Sequence, residues 1–227
     1  MNYKINKILN KKNKSKIVCL TAYSKNIAKI LDKFCDIILV GDSMANVLYA
    51  EKNTHNLTIE NTIQHTLSVR RGVKKNLLVV DMPKGTYKNI TMAKKNAKLI
   101  KSSTKCDAVK IESNNNNFNI IKELVSLKIP VMGHIGYTPQ FKNKFKIEGD
   151  SEKEKNKLIK EAIEIEKAGA FSIVLECITS RTARLITERI KIPTIGIGAS
   201  SYCDGQVLVT DDMLGLSGFY PKFVKKF

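Results

Sequence analysis

Four carboxylates in this sequence stand directly at the ends of short apolar runs. Asp42 follows Ile37-Ile38-Leu39-Val40-Gly41, Asp81 follows Leu77-Leu78-Val79-Val80, Glu112 closes Ala108-Val109-Lys110-Ile111, and Glu176 follows Ser172-Ile173-Val174-Leu175. Runs of aliphatic and β-branched residues of this length read as strands buried on both faces. If such strands are parallel and lead into helices, their carboxyl ends face a ligand crevice, and an acid there is placed for chemistry. Taken singly, each acid is equally a turn residue or a helix cap in solvent, and Gly41-Asp42-Ser43 is ordinary turn composition. The repetition argues for a site. Acids gathered around one mouth repel one another unless a cation sits among them, and all-oxygen donors select a hard ion such as Mg²⁺. Asp42, Asp81 and Glu112 are the candidate metal group. With only His55, His65 and His134 in the chain, there is little imidazole for a transition metal.

Lys110 precedes Glu112 by two residues and therefore shares its face of the strand. An inward lysine beside a metal suits an anionic substrate group. The competing reading is one more solvated lysine in a lysine-rich chain, but a lysine in the middle of a buried strand needs a partner. His134, near the end of the run Ile129 to Ile135, reads equally as a functional histidine or a buried, hydrogen-bonded one.

The elements that must position these groups alternate. A strand over Ile17 to Ala22 leads to a helix over Ser24 to Lys33. The strand Ile37 to Val40 is followed, after a polar loop, by a helix over Thr58 to Arg71, and Leu77 to Val80 by a helix over Thr91 to Ser103. Ala108 to Glu112 then leads through a solvated Ser113–Asn117 loop to a short helix over Ile120 to Ser126. Ile129 to Ile135 is the fifth strand. The polar, lysine-rich Gln140 to Asn156 reads as a mobile loop, and Lys157 to Ala168 as a strongly periodic helix. Ser172 to Leu175, a helix over Thr179 to Ile190, Pro193 to Gly198 and Gln206 to Val209 complete the pattern. About eight strand-helix units predict one (β/α)8 TIM barrel domain over 1–227, with a basic N-terminal extension at about 1–16. An open doubly wound parallel sheet is the alternative, because periodicity does not reveal closure.

Composition limits the remaining classes. The chain has 227 residues, 43% of them hydrophobic, enough for a substantial core. Lys+Arg 39 against Asp+Glu 21 gives a net charge of +18. That raises nucleic acid or an anionic membrane as a partner, yet the charges are scattered, with no arginine-rich stripe and few interleaved aromatics, so they read as solvated surface. The five cysteines form no Cys-x-x-Cys pair and read as reduced thiols. The first 16 residues lack the apolar core of an export signal, and no apolar run approaches the roughly 18 residues of a spanning helix. The expectation is a cytoplasmic protein without a membrane or nucleic-acid partner.

Several stretches, in order, resemble the ketopantoate hydroxymethyltransferase family. They are Thr21-Ala22-Tyr23, Val40-Gly41-Asp42-Ser43, Asp81-Met82-Pro83, Val109-Lys110-Ile111-Glu112, Gly133-His134-Ile135-Gly136-Tyr137-Thr138-Pro139-Gln140, Leu175-Glu176-Cys177, and Ile195-Gly196-Ile197-Gly198-Ala199 with Asp204-Gly205-Gln206. The resemblance implies a (β/α)8 barrel that binds Mg²⁺. It also implies transfer of a one-carbon unit from 5,10-methylenetetrahydrofolate to 3-methyl-2-oxobutanoate, giving 2-dehydropantoate in pantothenate synthesis, by a homo-oligomer. Asp42, Asp81 and Glu112 match the family's metal group, Asp42, Ser43, Asp81 and Lys110 its keto-acid contacts, and Glu176 its proton acceptor. A Lewis acid beside a 2-oxo acid eases loss of the neighbouring proton, which agrees with the reading of the acids themselves.

Three departures stand out. Ser24 follows Thr21-Ala22-Tyr23 where the family often has an acid, the usual glycine-rich loop after Thr138-Pro139-Gln140 is the lysine-rich Phe141 to Ile147, and the sequence stops at Phe227 where many relatives continue through further helix. Two other readings are a Mg²⁺-dependent lyase acting on a 2-oxo acid and a barrel retained for assembly with catalysis lost; the complete set of acids argues against the latter.

Overall fold

The computed structural model describes residues 3–113, 117–142, 144–218 and 221–225. Eight parallel strands close into a barrel in sequence order: β1 (Ile17–Thr21), β2 (Ile37–Val40), β3 (Leu77–Asp81), β4 (Ala108–Glu112), β5 (Val131–Gly136), β6 (Ser172–Glu176), β7 (Thr194–Ile197) and β8 (Gly205–Leu208). Strand β8 pairs with β1, for example Val207 beside Cys19, so the sheet has no free edge and the open-sheet alternative falls.

Alternation along each strand divides the core in two. One set, including Cys19, Ile37, Leu39, Leu77, Val79, Ala108, Met132, Val174, Ile195 and Val207, packs inside the barrel. The neighbours that point outward, such as Ile38, Val40, Leu78, Val80, Val109, Ile111, Val131, Ile173 and Leu175, meet the helices. The outer layer consists of α2 (Lys25–Leu31), α4 (Ile59–Gly72), α5 (Ile90–Thr104), α6 (Phe118–Ser126), α7 (Glu152–Lys167) and α8 (Ser180–Arg189).

Three further helices had no counterpart in the sequence reading. Helix α1 (Tyr3–Leu9) lies within the stretch read as a basic extension, yet its Ile5 and Ile8 are buried in the same cluster as the barrel interior and plug its lower end. Helices α3 (Met44–Tyr49) and α9 (Thr210–Met213) are single-turn pieces after β2 and β8. Helix α7 begins at Glu152, inside the stretch expected to be loop, because the Ser151 side chain accepts the backbone N–H of Glu154 and caps the first turn. Of the expected Ser113–Asn117 loop, 114–116 lie outside the described residues. Among the described residues no helix is long and apolar enough to cross a membrane.

Candidate active site

Strand register assembles the site at the upper, carboxyl-terminal rim. Asp81 of β3 lies beside Lys110 of β4, Glu112 of β4 beside His134 of β5, and Gly136 of β5 beside Glu176 of β6. Asp81, Lys110, Glu112 and His134 are all buried. Lys110 Nζ is 2.5 Å from Asp81 Oδ1, and the other oxygen, Oδ2, accepts the backbone N–H of Asp42 at 3.0 Å. Just past β2, Gly41 leaves room for the Ser43 hydroxyl, which a Cβ there would meet at 2.9 Å. Ser43 itself shares a hydrogen bond of 2.8 Å with the Tyr23 hydroxyl.

Glu112 and Glu176 flank His134. The imidazole Nδ1 is 3.6 Å from Glu112 Oε1 and Nε2 is 3.2 Å from Glu176 Oε2. Neither contact has hydrogen-bond alignment, so both ring nitrogens and Glu112 Oε1 are buried without a hydrogen-bond partner among the described residues. Such groups are costly and concentrate where function needs them. The backbone after Glu176 is strained as well, with φ of 50° at Cys177. Gly136 answers from the next strand: its φ is 95°, and a Cβ there would fall 2.2 Å from the Glu176 carbonyl oxygen.

These surroundings move the proton affinities. Desolvation raises Asp81 to about 6, opposed by Lys110 and assisted by Asp42. Desolvation also raises Glu112 well above the carboxylate range, with Asp42 adding to the rise. Glu176 is pushed up to about 8, again chiefly by desolvation. For Lys110 burial works against the charge, but Asp81, Asp42 and Glu112 together outweigh it and hold the ammonium firmly protonated. Burial and then Lys110 keep His134 neutral, its pKa well below the usual value.

The sequence-predicted residues Asp42, Asp81, Lys110 and Glu112 therefore meet at one mouth, with Ser43 at its edge and Glu176 across His134. Sequence reasoning assigned no role to Gln140, although it closes the longest family-like stretch. Its side-chain N–H₂ donates to Asp42 Oδ2 at 2.9 Å and to the Met82 carbonyl at 3.1 Å, while its backbone N–H donates to Glu112 Oε2 at 3.0 Å. The Tyr87 hydroxyl donates to its Oε1 at 2.6 Å.

The donor set suits a hard cation. Among the described residues no three His, Cys, Asp or Glu side chains form a ready-made metal cage. Mg²⁺, however, is commonly held by one or two carboxylates, with waters and substrate oxygens completing the octahedron. Asp42 and Asp81 could supply the two and the unpartnered Glu112 Oε1 a further acceptor, and burial raises the proton affinities of Asp81 and Glu112 with Lys110 only partly opposing it.

A family model described as ketopantoate hydroxymethyltransferase matches residues 2–227. A 3-methyl-2-oxobutanoate hydroxymethyltransferase from Pelagibacter ubique (strain HTCC1062) is 53% identical over 227 residues, covering 100% of this chain and 88% of the relative. A second, from Zymomonas mobilis subsp. mobilis, is 49% identical over 96% of this chain and 81% of its own length. Among solved structures, a phosphonopyruvate hydrolase superposes with a TM-score of 0.70 at 10% identity, over 91% of this chain and 80% of that one. A 2,3-dimethylmalate lyase of the PEP mutase/isocitrate lyase superfamily gives 0.69 at 14%, over 92% and 78%. At those identities the structural likeness speaks for the barrel alone, whereas the sequence matches span the whole arrangement of acids, lysine and histidine just described, and the chain belongs to the ketopantoate hydroxymethyltransferase family.

Proposed function

We propose that this enzyme transfers the one-carbon unit of 5,10-methylenetetrahydrofolate to 3-methyl-2-oxobutanoate, giving 2-dehydropantoate. One water is consumed, since its oxygen becomes the new hydroxyl. The observation that carries the reading is the meeting of Asp42, Asp81, Lys110 and Glu112 on one side of the mouth with a proton-hungry Glu176 on the other. Mg²⁺ held by Asp42 and Asp81, with Glu112 behind them, would supply a Lewis acid for the keto acid's oxygens.

The chain's own residues do the rest. Lys110, kept charged by its acidic neighbours, offers a fixed positive charge to the substrate carboxylate. Glu176, ionised once a cation neutralises the rim, takes the proton from the carbon next to the carbonyl, and its burial makes it a stronger base than an ordinary glutamate. His134, neutral and wedged between Glu112 and Glu176, holds the two acids apart without adding a charge. The carbon that loses its proton then bonds to the folate-borne carbon, whose two bonds to the folate nitrogens break as water supplies the hydroxyl and tetrahydrofolate leaves. The buried thiols suit a reducing cytoplasm, and the family resemblance points to a homo-oligomer.

A steady-state assay with keto acid, methylenetetrahydrofolate and Mg²⁺ tests substrate, co-substrate and metal together. Formation of 2-dehydropantoate that requires all three is expected. Carbon-carbon cleavage of a 2-oxo acid without the folate would replace this reading with a lyase.

A further inference from the structure

We infer that Gln140, held by Tyr87, is a positioning residue that makes Asp42 and Glu112 each present a single oxygen to the site and so sets its preference for a small octahedral cation. The inference rests on the metal reading above. The amide orientation follows from its partners. The nitrogen faces two acceptors, Asp42 Oδ2 and the Met82 carbonyl, while the oxygen faces a hydroxyl that donates. Turning the amide over would set its oxygen against two acceptors, Asp42 Oδ2 and the Met82 carbonyl, and lose both hydrogen bonds. Every hydrogen-bonding position of the side chain's N–H₂ is thus used, in a residue 1% exposed.

The consequence lies in the oxygens left over. Gln140 occupies Asp42 Oδ2 with its side chain and Glu112 Oε2 with its backbone N–H, which leaves Glu112 Oε1 without a hydrogen bond. A carboxylate with one oxygen committed to a protein donor is biased against chelating an ion through both. Mg²⁺ demands near-ideal octahedral geometry, whereas the larger Ca²⁺ accepts two-oxygen carboxylates and higher coordination numbers. Groups that hydrogen-bond ligating carboxylates typically change metal affinity by roughly 10- to 100-fold when removed. The loop bearing Gln140 is itself pinned, since the His55 ring lies 3.0 Å from the Pro139 carbonyl through Nε2. Gln140 is 98 residues from Asp42 in sequence and 28 from Glu112, so this one residue, with its side chain on Asp42 and Met82 and its backbone N–H on Glu112, ties three strand ends together.

Calorimetric titration of the full chain with MgCl₂ and separately with CaCl₂, each at saturating 3-methyl-2-oxobutanoate, tests this without turnover. Gln140→Leu, which keeps most of the volume and removes the side-chain donors while leaving the backbone N–H on Glu112, frees Asp42 Oδ2 and should weaken Mg²⁺ by about tenfold or more while Ca²⁺ changes less, narrowing the ratio between the ions. Tyr87→Phe, which removes only the hydroxyl that orients the amide, should shift the ratio in the same direction by a smaller factor, and it carries the test if the leucine variant does not fold. Folded variants with both affinities unchanged would overturn the role of Gln140 alone. A wild-type protein that takes up no Mg²⁺ would overturn the metal reading and this inference together.

Discussion

Asp32, Asp36, Asp107 and Asp204 at the lower end of the barrel and Asp42, Asp81, Glu112 and Glu176 at the upper end are the same functional group in opposite circumstances. Below, Asp32 accepts the backbone N–H groups of Lys74, Lys75 and Asn76 at 2.9 to 3.1 Å. Asp36 meets Lys11 at 2.6 Å and the N–H of Val18, Asp107 meets Lys4 at 3.1 Å and the N–H of Leu78, and Asp204 meets Lys12 at 2.8 Å together with the N–H groups of Asn13 and Thr194. These three ion pairs fasten the segment that carries α1 across the barrel floor. Above, four acids share essentially one lysine, and Asp81, Glu112 and Glu176 all hold protons more tightly than usual. Acids answered by N–H groups and lysines stabilise the fold; acids left under-answered at strand ends are available to a ligand.

Breaking the upper set should therefore affect chemistry, and breaking the lower set stability. The largest effect is expected at Glu176. Glu176→Gln keeps the shape but cannot accept a proton, so turnover should fall roughly 10²- to 10⁴-fold with Mg²⁺ and keto-acid binding nearly normal. Equal losses in binding and turnover would make it a structural residue, and near-normal turnover would hand the proton to another group. Asp81→Ala should also lose most activity, and titration should show weaker Mg²⁺ binding, because it removes a carboxylate ligand and strands the Lys110 charge. Mg²⁺ dependence unchanged in this variant would sink the metal assignment.

The lower set supplies the converse. Asp204→Ala removes a buried partner of Lys12 and of the N–H groups of Asn13 and Thr194, so unfolding in denaturant should show a loss of about 3 to 5 kcal/mol. Turnover per folded molecule should be unchanged. A variant as stable as the wild type, or one that is stable but inactive, would erase the distinction between the two ends. Back at the rim, Lys110→Ala should chiefly raise KM for the keto acid by roughly 10- to 100-fold, corresponding to a charge-assisted contact worth about 1.5 to 3 kcal/mol. Unaltered KM and kcat would remove Lys110 from the site.

The same contrast explains which parts of the molecule were legible beforehand. Strands β2, β3, β4 and β6 are short, mostly apolar runs, interrupted in β4 by Lys110, because the barrel buries both of their faces, so the acids that end them stood out in the sequence. Helix α3 has six residues and α9 four, too few for a helical period to emerge. In α1 only Ile5, Ile8 and Leu9 interrupt a polar, lysine-rich segment, and what holds the helix down is distant in sequence. The early start of α7 did carry a signal, Ser151 followed three residues later by Glu154, which a search for apolar periodicity passes over. Gln140 carried none of its own, because its role exists only once the rims of β2 and β4 are brought beside its loop. Closure, too, is a property of β8 meeting β1 rather than of any one strand.

The smallest expected effect, and the finest test of the comparison, is the pH dependence of stability without added metal. Glu176 has its pKa raised from an ordinary 4.5 to about 8 in the folded protein. A group raised in this way binds more protons folded than unfolded between those two values. Its contribution to stability is fully present below about pH 4.5 and is lost as pH rises towards 8. Because 19% of the side chain is exposed and solvent screens it, a slope worth about 1 to 2 kcal/mol across that window is the reasonable expectation. Other groups titrate over the same range, so the quantity to measure is the difference between wild type and Glu176→Gln in chemical denaturation at several pH values. That difference should shift against the wild type as pH rises through the window. It should shrink when Mg²⁺ is added, because a cation near the acids favours the ionised carboxyl and lowers its pKa. A difference that stays flat with pH would mean that Glu176 titrates like an ordinary acid, and that the rim is as well answered as the floor.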